Sequence, residues 1–343
     1  MSMKVILENF RSAMYESKNT YGADINEILF AYVAAGNTFG GKFINGAEAQ
    51  TVLEERSDKT SEKEYEDQFQ RAIKSLEVTL DWAAANGWEG DIKKVWWTAR
   101  PNVLSQAARL ELGDGTFQDA SPGNPTDVLL EFDGEQLLGI SLKSMKPLKG
   151  NIGFKNPGVG AMSKSLGIDL GASLNNMDKK ALDSLRVPPM SQANRKKWLR
   201  LPENAEIREE TIEVGKKMLT ALRDTLMAHL ETMSPEDLRD HILSTWLDAG
   251  ALYPYYIKVT GRGTSKKGYN ASVEDPNNND IFKALTAADA FDFVRGGSGK
   301  DWESSIGVVA NGATGPVKIL KMRFKFESEK LASSLKMSGD AYK

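Results

Sequence analysis

The sequence is first informative for what it lacks. Its 343 residues include no cysteine and only two histidines, His229 and His241. Without thiols there is no disulfide, zinc–thiolate site, iron–sulfur cluster or cysteine nucleophile. Two imidazoles leave little room for a His-rich metal centre or a Ser–His triad. No stretch approaches the ~18 apolar residues of a membrane span, and residues 1–10 carry no signal-peptide core, so a cytoplasmic protein with no membrane partner is expected. The formal net charge is −3, from 44 basic and 47 acidic residues, which argues against a simple electrostatic coat for nucleic acid. What is present is ample material for a core, with 41% hydrophobic residues. At roughly 100–200 residues per domain, the length implies two domains or one large domain with insertions.

Residues 24–35 (DINEILFAYVAA) read as a helix. Asp24 stands at the N-cap, Glu27 three positions later completes a capping-box spacing, and Gly36 ends the run. A second helix is expected over residues 61–85, capped by Ser61, with Phe69, Ile73, Leu76 and Leu80 at helical spacing. Residues 93–99 (KKVWWTA) form a strand in which Trp96 and Trp97 face opposite ways. Residues 178–247 are mostly helical and include the basic segment NRKKWLR at 194–200, and Pro235 suits the first turn of one helix. Strand patterns return at 255–260, 290–294, 305–309 and 317–326. Strands on both sides of a helical block suggest one α/β core carrying a helical insertion.

The densest signal is GNPTDVLLEFDGEQLLGISLKSMKPLKGNIGFKNPGVG at residues 123–160. Val128, Leu130 and Phe132 share one strand face; Leu138, Ile140 and Leu142 share another. A two-residue turn at Asp133-Gly134 would put these sets on opposite sides. A three-residue turn at Asp133–Glu135, or a bulge, puts both on one side. That register sets Asp127 opposite Ser141, with Lys143 one diagonal step away. An ordinary hairpin with a solvent-facing Asp–Lys pair would carry the same pattern.

Pro125, Asp127, a short hairpin and then Ser141-x-Lys143 resemble the PD-(D/E)XK nuclease superfamily, especially its type II restriction-endonuclease-like members. The resemblance implies an α/β fold, a restriction-endonuclease-like mixed β-sheet core flanked by helices, with a mostly helical insertion. It assigns residues 1–164 to N-terminal helices plus the catalytic hairpin and 165–250 to the insertion. Residues 251–343 are strands completing the sheet or a second DNA-contacting lobe. It also implies a Mg²⁺-dependent endonuclease hydrolysing DNA phosphodiester bonds, in restriction or phage DNA processing, with Mn²⁺ as a substitute ion. A phage-encoded protein would act in the host cytoplasm, and a homodimer is a compatible assembly. Asp127 is then the metal-binding aspartate, Lys143 the lysine that assists the water, and the Leu142 carbonyl a further metal ligand. Ser141 stands where the family has its second acid, and the proline lies one residue early. This departure supports the alternative of a catalytically weakened or inactive nuclease-fold DNA-binding protein. Glu27 is placed by resemblance as the supporting carboxylate, and is equally a capping-box residue of a core helix.

Lys146, Lys149, Lys155 and Asn156, among the glycines after the hairpin, read as DNA-backbone contacts or as a solvated loop. Arg195, Lys196 and Lys197 form a second candidate contact or a charged helix surface. Lys318, Lys321, Arg323 and Lys325 alternate along a strand, a further basic face. The Gly-x-Gly stretches at 261–263 and 296–299 lack the context of a P-loop or a dinucleotide fingerprint.

Overall fold

The computed structural model describes residues 18–100, 103–109, 124–149, 157–168, 170, 179–247, 249, 253–296, 304–326, 329–333 and 335–341. The chain divides into two units, Met1–Gly150 with Ala251–Pro276 and Asn151–Gly250 with Asn277–Lys343.

In the first unit the helices are α1 (Lys18–Ala34), α2 (Gly46–Ser57), α3 (Glu62–Ala85) and the short α4 (Val103–Ala107). The strands are β1 (Lys94–Trp97), β2 (Val128–Glu131), β3 (Leu137–Met145), β4 (Tyr255–Thr264) and β5 (Gly268–Glu274). They form one mixed sheet in the order β1-β2-β3-β4-β5, antiparallel throughout except for the parallel pair β3–β4. Alternation along each strand sends Val95, Trp97, Val128, Leu130, Leu138, Ile140, Leu142, Ile257 and Val259 to one core, under Ile25, Ile28, Leu29 and Phe30 of α1. The opposite face carries Leu129 against Leu104, Ala107 and the partly buried Trp96. The two tryptophans of β1 thus pack in different layers.

Ser61 caps α3 as expected, its hydroxyl accepting from the Glu64 N–H at 3.3 Å. Gly36, at φ +87°, follows the end of α1 in a conformation that favours glycine. Gly261 lets α3 lie close over β4, because a Cβ there would stand 2.9 Å from the Arg71 carbonyl and 2.8 Å from Ser75 Oγ.

The hairpin has the register that burial demands. Val128 pairs with Ile140 and Leu130 with Leu138, around a three-residue turn at Asp133–Glu135. Gly134 and Glu135 take positive φ there, 70° and 62°. The start of α1 differs from expectation. The helix begins at Lys18, so Asp24 and Glu27 lie inside it, and Asp24 is bonded to Arg56 of α2 at 3.1 Å instead of capping. A capping pattern is local, and this carboxylate found a buried cationic partner across the helix pair.

The second unit holds α5 (Val159–Leu166), α6 (Gln192–Leu199), α7 (Ala205–Leu230), α8 (Pro235–Ile242), a π-helical turn at Leu243–Leu247, and α9 (Asp280–Thr286). Its strands are β6 (Ala288–Arg295), β7 (Ser305–Gly312), β8 (Gly315–Phe326) and β9 (Leu335–Ala341), an antiparallel sheet in that order. The strands after residue 251 therefore divide: β4 and β5 complete the first sheet, and β6 to β9 make one of their own. Leu219, Leu222, Leu226, Leu230 and Trp246 pack with Val308, Leu320, Met322 and Phe324. Each fully buried side chain of this kind contributes about 1.5–3 kcal/mol. Lys321, Arg323 and Lys325 alternate with that buried face, and Lys321 lies across from Asp340 on β9.

Candidate active site

Where β2 begins, its ladder with β3 ends. The Asp127 N–H donates to the Ile140 carbonyl at 2.9 Å, and Asp127 Oδ2 accepts from the Leu142 N–H at 2.7 Å. The Ser141 hydroxyl is a further hydrogen-bond partner of the same carboxylate. The hairpin thus orients Asp127 through the main chain of the very strand that carries Lys143.

From the sheet's helical side, α1 brings Glu27 to the same place. Glu27 is only 8% exposed, and its Oε2 accepts from Trp97 Nε1 at 3.1 Å. Trp97 is itself fully buried, so the strand fixes the helix carboxylate as it fixes Asp127. Burial above all, then the charge of Asp127, pushes Glu27 up to about 8; the Trp97 hydrogen bond offsets part of this. Burial likewise raises Asp127 to about 6, against the Leu142 N–H, the Lys143 charge and the Ser141 hydroxyl. At neutral pH the two carboxyls hold roughly one proton between them.

Both groups line one cleft of about 820 Å³ in the first unit, together with Leu142, Lys143, Ser144 and Lys146 from β3 and its end. Its far wall comes from α1, α3 and the turn before α3, and includes Tyr21, Asn26, Lys59, Glu64, Gln68 and Arg71. Lys143 is exposed and makes no hydrogen-bonded ion pair among the described residues. Lys146 Nζ meets Glu64 Oε2 at 2.6 Å, and Arg71 donates to Glu64 Oε1 at 2.7 Å and to the Gly263 carbonyl at 2.9 Å. Burial works against the Glu64 charge, but the bonds from Lys146 and Arg71 prevail and hold its carboxyl below the usual range.

The hairpin and α1 therefore bring together Asp127, Ser141, Leu142, Lys143 and Glu27, and Lys146 joins them at the cleft rim. Lys149 is exposed just beyond β3 and does not line the cleft. Lys155 and Asn156 lie outside the described residues. Arg195, Lys196 and Lys197 belong to α6 of the second unit, where Arg195 donates to the Leu331 carbonyl at 2.5 Å. Glu64, Gln68 and Arg71 were not singled out by the sequence. Their helical spacing marks one face of α3, but nothing local says that this face lines a cleft.

Among the described residues no three His, Cys, Asp or Glu side chains stand close enough together to hold a metal ion. Of the three carboxylates lining the cleft, Glu64 is paired with Lys146 and Arg71, which leaves Glu27, Asp127 and neutral oxygens as donors, with no His or Cys side chain in the lining. That set suits a hard, oxygen-seeking cation of the Mg²⁺ or Mn²⁺ kind, which commonly takes one or two carboxylates and completes its shell with water.

No protein-family model matches this chain, and no curated protein matches it. Among solved structures it is similar to the restriction endonuclease MspI in complex with its cognate DNA, at 11% sequence identity and a TM-score of 0.30 over 83% of each chain. At that identity and TM-score the likeness assigns no function. No described helix is long and apolar enough to cross a membrane. The first unit is a mixed five-stranded sheet flanked by helices, with two carboxyls of raised pKa meeting the exposed Lys143 ammonium in its cleft.

Proposed function

We propose that the first unit is a divalent-cation-dependent phosphodiesterase that hydrolyses DNA. The observation that carries this reading is the meeting of Glu27 and Asp127 in one cleft beside Lys143. Two like charges gathered under a low-dielectric wall are destabilised alone and become favourable once a cation lies between them. Asp127, Glu27 and the Leu142 main chain would hold the ion. When bound, such an ion polarises a phosphoryl oxygen and acidifies a water.

The chain's own groups have separate tasks. The Leu142 N–H and the Ser141 hydroxyl hold Asp127 in place, as Trp97 holds Glu27. Lys143 offers a mobile ammonium to the attacking water or to the charge that grows on the phosphoryl oxygens. In the hydrolysis a water oxygen–phosphorus bond forms and a phosphorus–ester oxygen bond breaks, and a proton ends on the leaving oxygen. Lys146 and Lys59 on the cleft walls supply charge for the phosphate backbone.

The second reading, a nucleic-acid-binding protein without catalysis, is favoured by one feature: Ser141 spends its hydroxyl on Asp127, so the hairpin contributes a single carboxylate. Incubation of the purified chain with supercoiled plasmid and Mg²⁺ or Mn²⁺ separates the two. Nicking that disappears with chelator supports the enzyme. Intact gel-shift binding with no nicking in either ion overturns it and leaves the binding protein.

A further inference from the structure

Gln68 lies one turn after Glu64 on α3 and lines the same cleft as Glu27 and Asp127. It is only 4% exposed, yet its Oε1 has no hydrogen-bond partner among the described residues. A carboxamide oxygen that has lost water and gained no donor is costly, and folded proteins seldom keep one unless an ion, a ligand or an ordered water completes it.

The surrounding groups do not complete it. The neighbouring carboxylate of Asp67 is turned to the β4–β5 turn and β5, accepting from the Ser265 N–H at 2.8 Å and the Tyr269 hydroxyl at 2.6 Å. Arg71, one turn on, spends its terminal nitrogens on Glu64 and Gly263. Lys146 is also bonded to Glu64. The amide nitrogen of Gln68 lies toward Gly22 on α1, 3.8 Å from where a Cβ would stand. The oxygen is the buried end of this side chain that the fold leaves without a donor among the described residues.

We propose that Gln68 Oε1 is a third side-chain ligand of the cation held by Glu27 and Asp127. This rests on the cation reading above and extends it to a residue outside the hairpin and α1. The site needs such a donor because Ser141, at the hairpin's second acidic position, is engaged with Asp127. A neutral oxygen is the donor that the electrostatics favour. A third carboxylate would add to the repulsion that already burdens the pair in the metal-free protein, whereas an amide oxygen adds coordination without charge.

The test is Mn²⁺ binding to the 343-residue chain without nucleic acid, measured by titration calorimetry and by the electron spin resonance signal of free Mn²⁺. The proteins compared are wild type, Gln68→Leu, Gln68→Glu and Asp127→Asn. Gln68→Leu is expected to weaken Mn²⁺ roughly tenfold or more, with a metal-free Tm at or above that of wild type. Gln68→Glu is expected to tighten Mn²⁺, because it gives the donor a charge. Wild-type affinity in Gln68→Leu beside lost affinity in Asp127→Asn would overturn the Gln68 assignment and leave the cation site standing. Absence of Mn²⁺ binding in wild type, or undiminished binding in Asp127→Asn, would overturn both. Should Gln68→Leu lose its circular-dichroism signature of folding, Gln68→Glu decides: affinity equal to wild type overturns the proposal. A Gln68→Leu chain that keeps its Mn²⁺ affinity but loses DNA binding in Ca²⁺ also overturns it, placing the oxygen against nucleic acid.

Discussion

In the first unit burial pushes two carboxyls upward, Glu27 to about 8 and Asp127 to about 6, whereas in the second unit it pushes the imidazole of His241 down to about 4. His241 lines a pocket of about 420 Å³ with His229, Asp237, Asp240, Ser244 and Thr245, so the only two histidines of the chain meet there. Its Nε2 has no hydrogen-bond partner among the described residues, and its Nδ1 lies 3.4 Å from Thr245 Oγ1. Both places keep ionisable groups neutral, but the consequences differ. Asp237 already accepts from Ser234 at 2.6 Å, and Asp240 is exposed. In the cleft, groups of one sign oppose each other beside the exposed Lys143 ammonium, an arrangement that a bound cation would resolve. In the histidine pocket desolvation leads and the His229 charge follows, an arrangement that needs only the loss of a proton. A perturbed pKa by itself therefore does not mark a reaction site; what the surrounding groups could bind has to be read beside it.

Asp127→Asn should break that contrast most completely. It keeps a side-chain acceptor for the Leu142 N–H and removes the charge. Cation-dependent nicking should fall on the order of a thousandfold, while the metal-free Tm at pH 8 rises because Glu27 loses its opponent. Initial rates on plasmid and differential scanning calorimetry measure the two. Undiminished nicking would refute the metal assignment, and a lowered metal-free Tm would refute the repulsion.

Glu27→Gln tests the same pair through pH. Folded Glu27 keeps its proton up to about pH 8, whereas the unfolded chain releases it near 4.5. Its contribution to stability is therefore complete below pH 4.5 and is lost as pH rises toward 8. The metal-free wild type should lose roughly 5–10 °C of Tm to this group between pH 5 and pH 8.5. Glu27→Gln, whose amide oxygen can still accept from Trp97, should be flatter over that range. Added Mn²⁺ should restore Tm in the wild type at high pH and do little for the variant. Parallel wild-type and variant curves would remove Glu27 from the site.

His241→Leu supplies the opposite slope. A folded pKa of about 4 against 6.5 unfolded means stability present above pH 6.5 and lost as pH falls toward 4. The group should account for about 3 kcal/mol over that interval, in the unfolding of the second unit and without effect from Mn²⁺. A Mn²⁺-dependent Tm that requires His241 would erase the distinction between the two places.

The legible and illegible parts of this fold divide on locality. The hairpin register followed from parity alone, because Leu130 and Leu138 could be buried together in only one way once the turn took three residues. That register placed Asp127 against Ser141 and Lys143. The resemblance names Glu27 as a supporting carboxylate, while its competing capping-box reading fails because Asp24, the apparent cap, lies inside a helix beginning at Lys18. Strands β5 and β9 escaped notice because GYNASVE and LKMSGDA lack an apolar alternation. Periodicity also cannot say to which sheet a strand belongs, so the sequence leaves residues 251–343 open between completing the first sheet and forming a second lobe, and the strands divide between the two sheets. Gln68 has no signal in sequence at all, because a missing partner exists only once the fold has excluded the others.

The smallest effect concerns the cleft's own cations. Glu64 is the acid that holds Lys146 and Arg71, so it stands where a substrate phosphate would find two donors already converging. Glu64→Gln removes that internal anion. Arg71 keeps its bond to the Gly263 carbonyl and should stay in place, while the mostly exposed Lys146 loses its charged partner. DNA affinity at low salt should rise a few-fold, and the slope of log affinity against log salt should steepen by about one phosphate contact. Tm should fall modestly: the Lys146 pair is mostly exposed and worth at most about 1 kcal/mol, but Arg71, with only 2% of its side chain exposed, exchanges a carboxylate partner for a neutral amide oxygen. Gel shifts across a salt series decide the point. A steeper slope puts Lys146 on the nucleic-acid backbone, and an unchanged slope leaves it a structural partner of Glu64, so that the cleft would rely on Lys143 and Lys59 for its phosphate contacts.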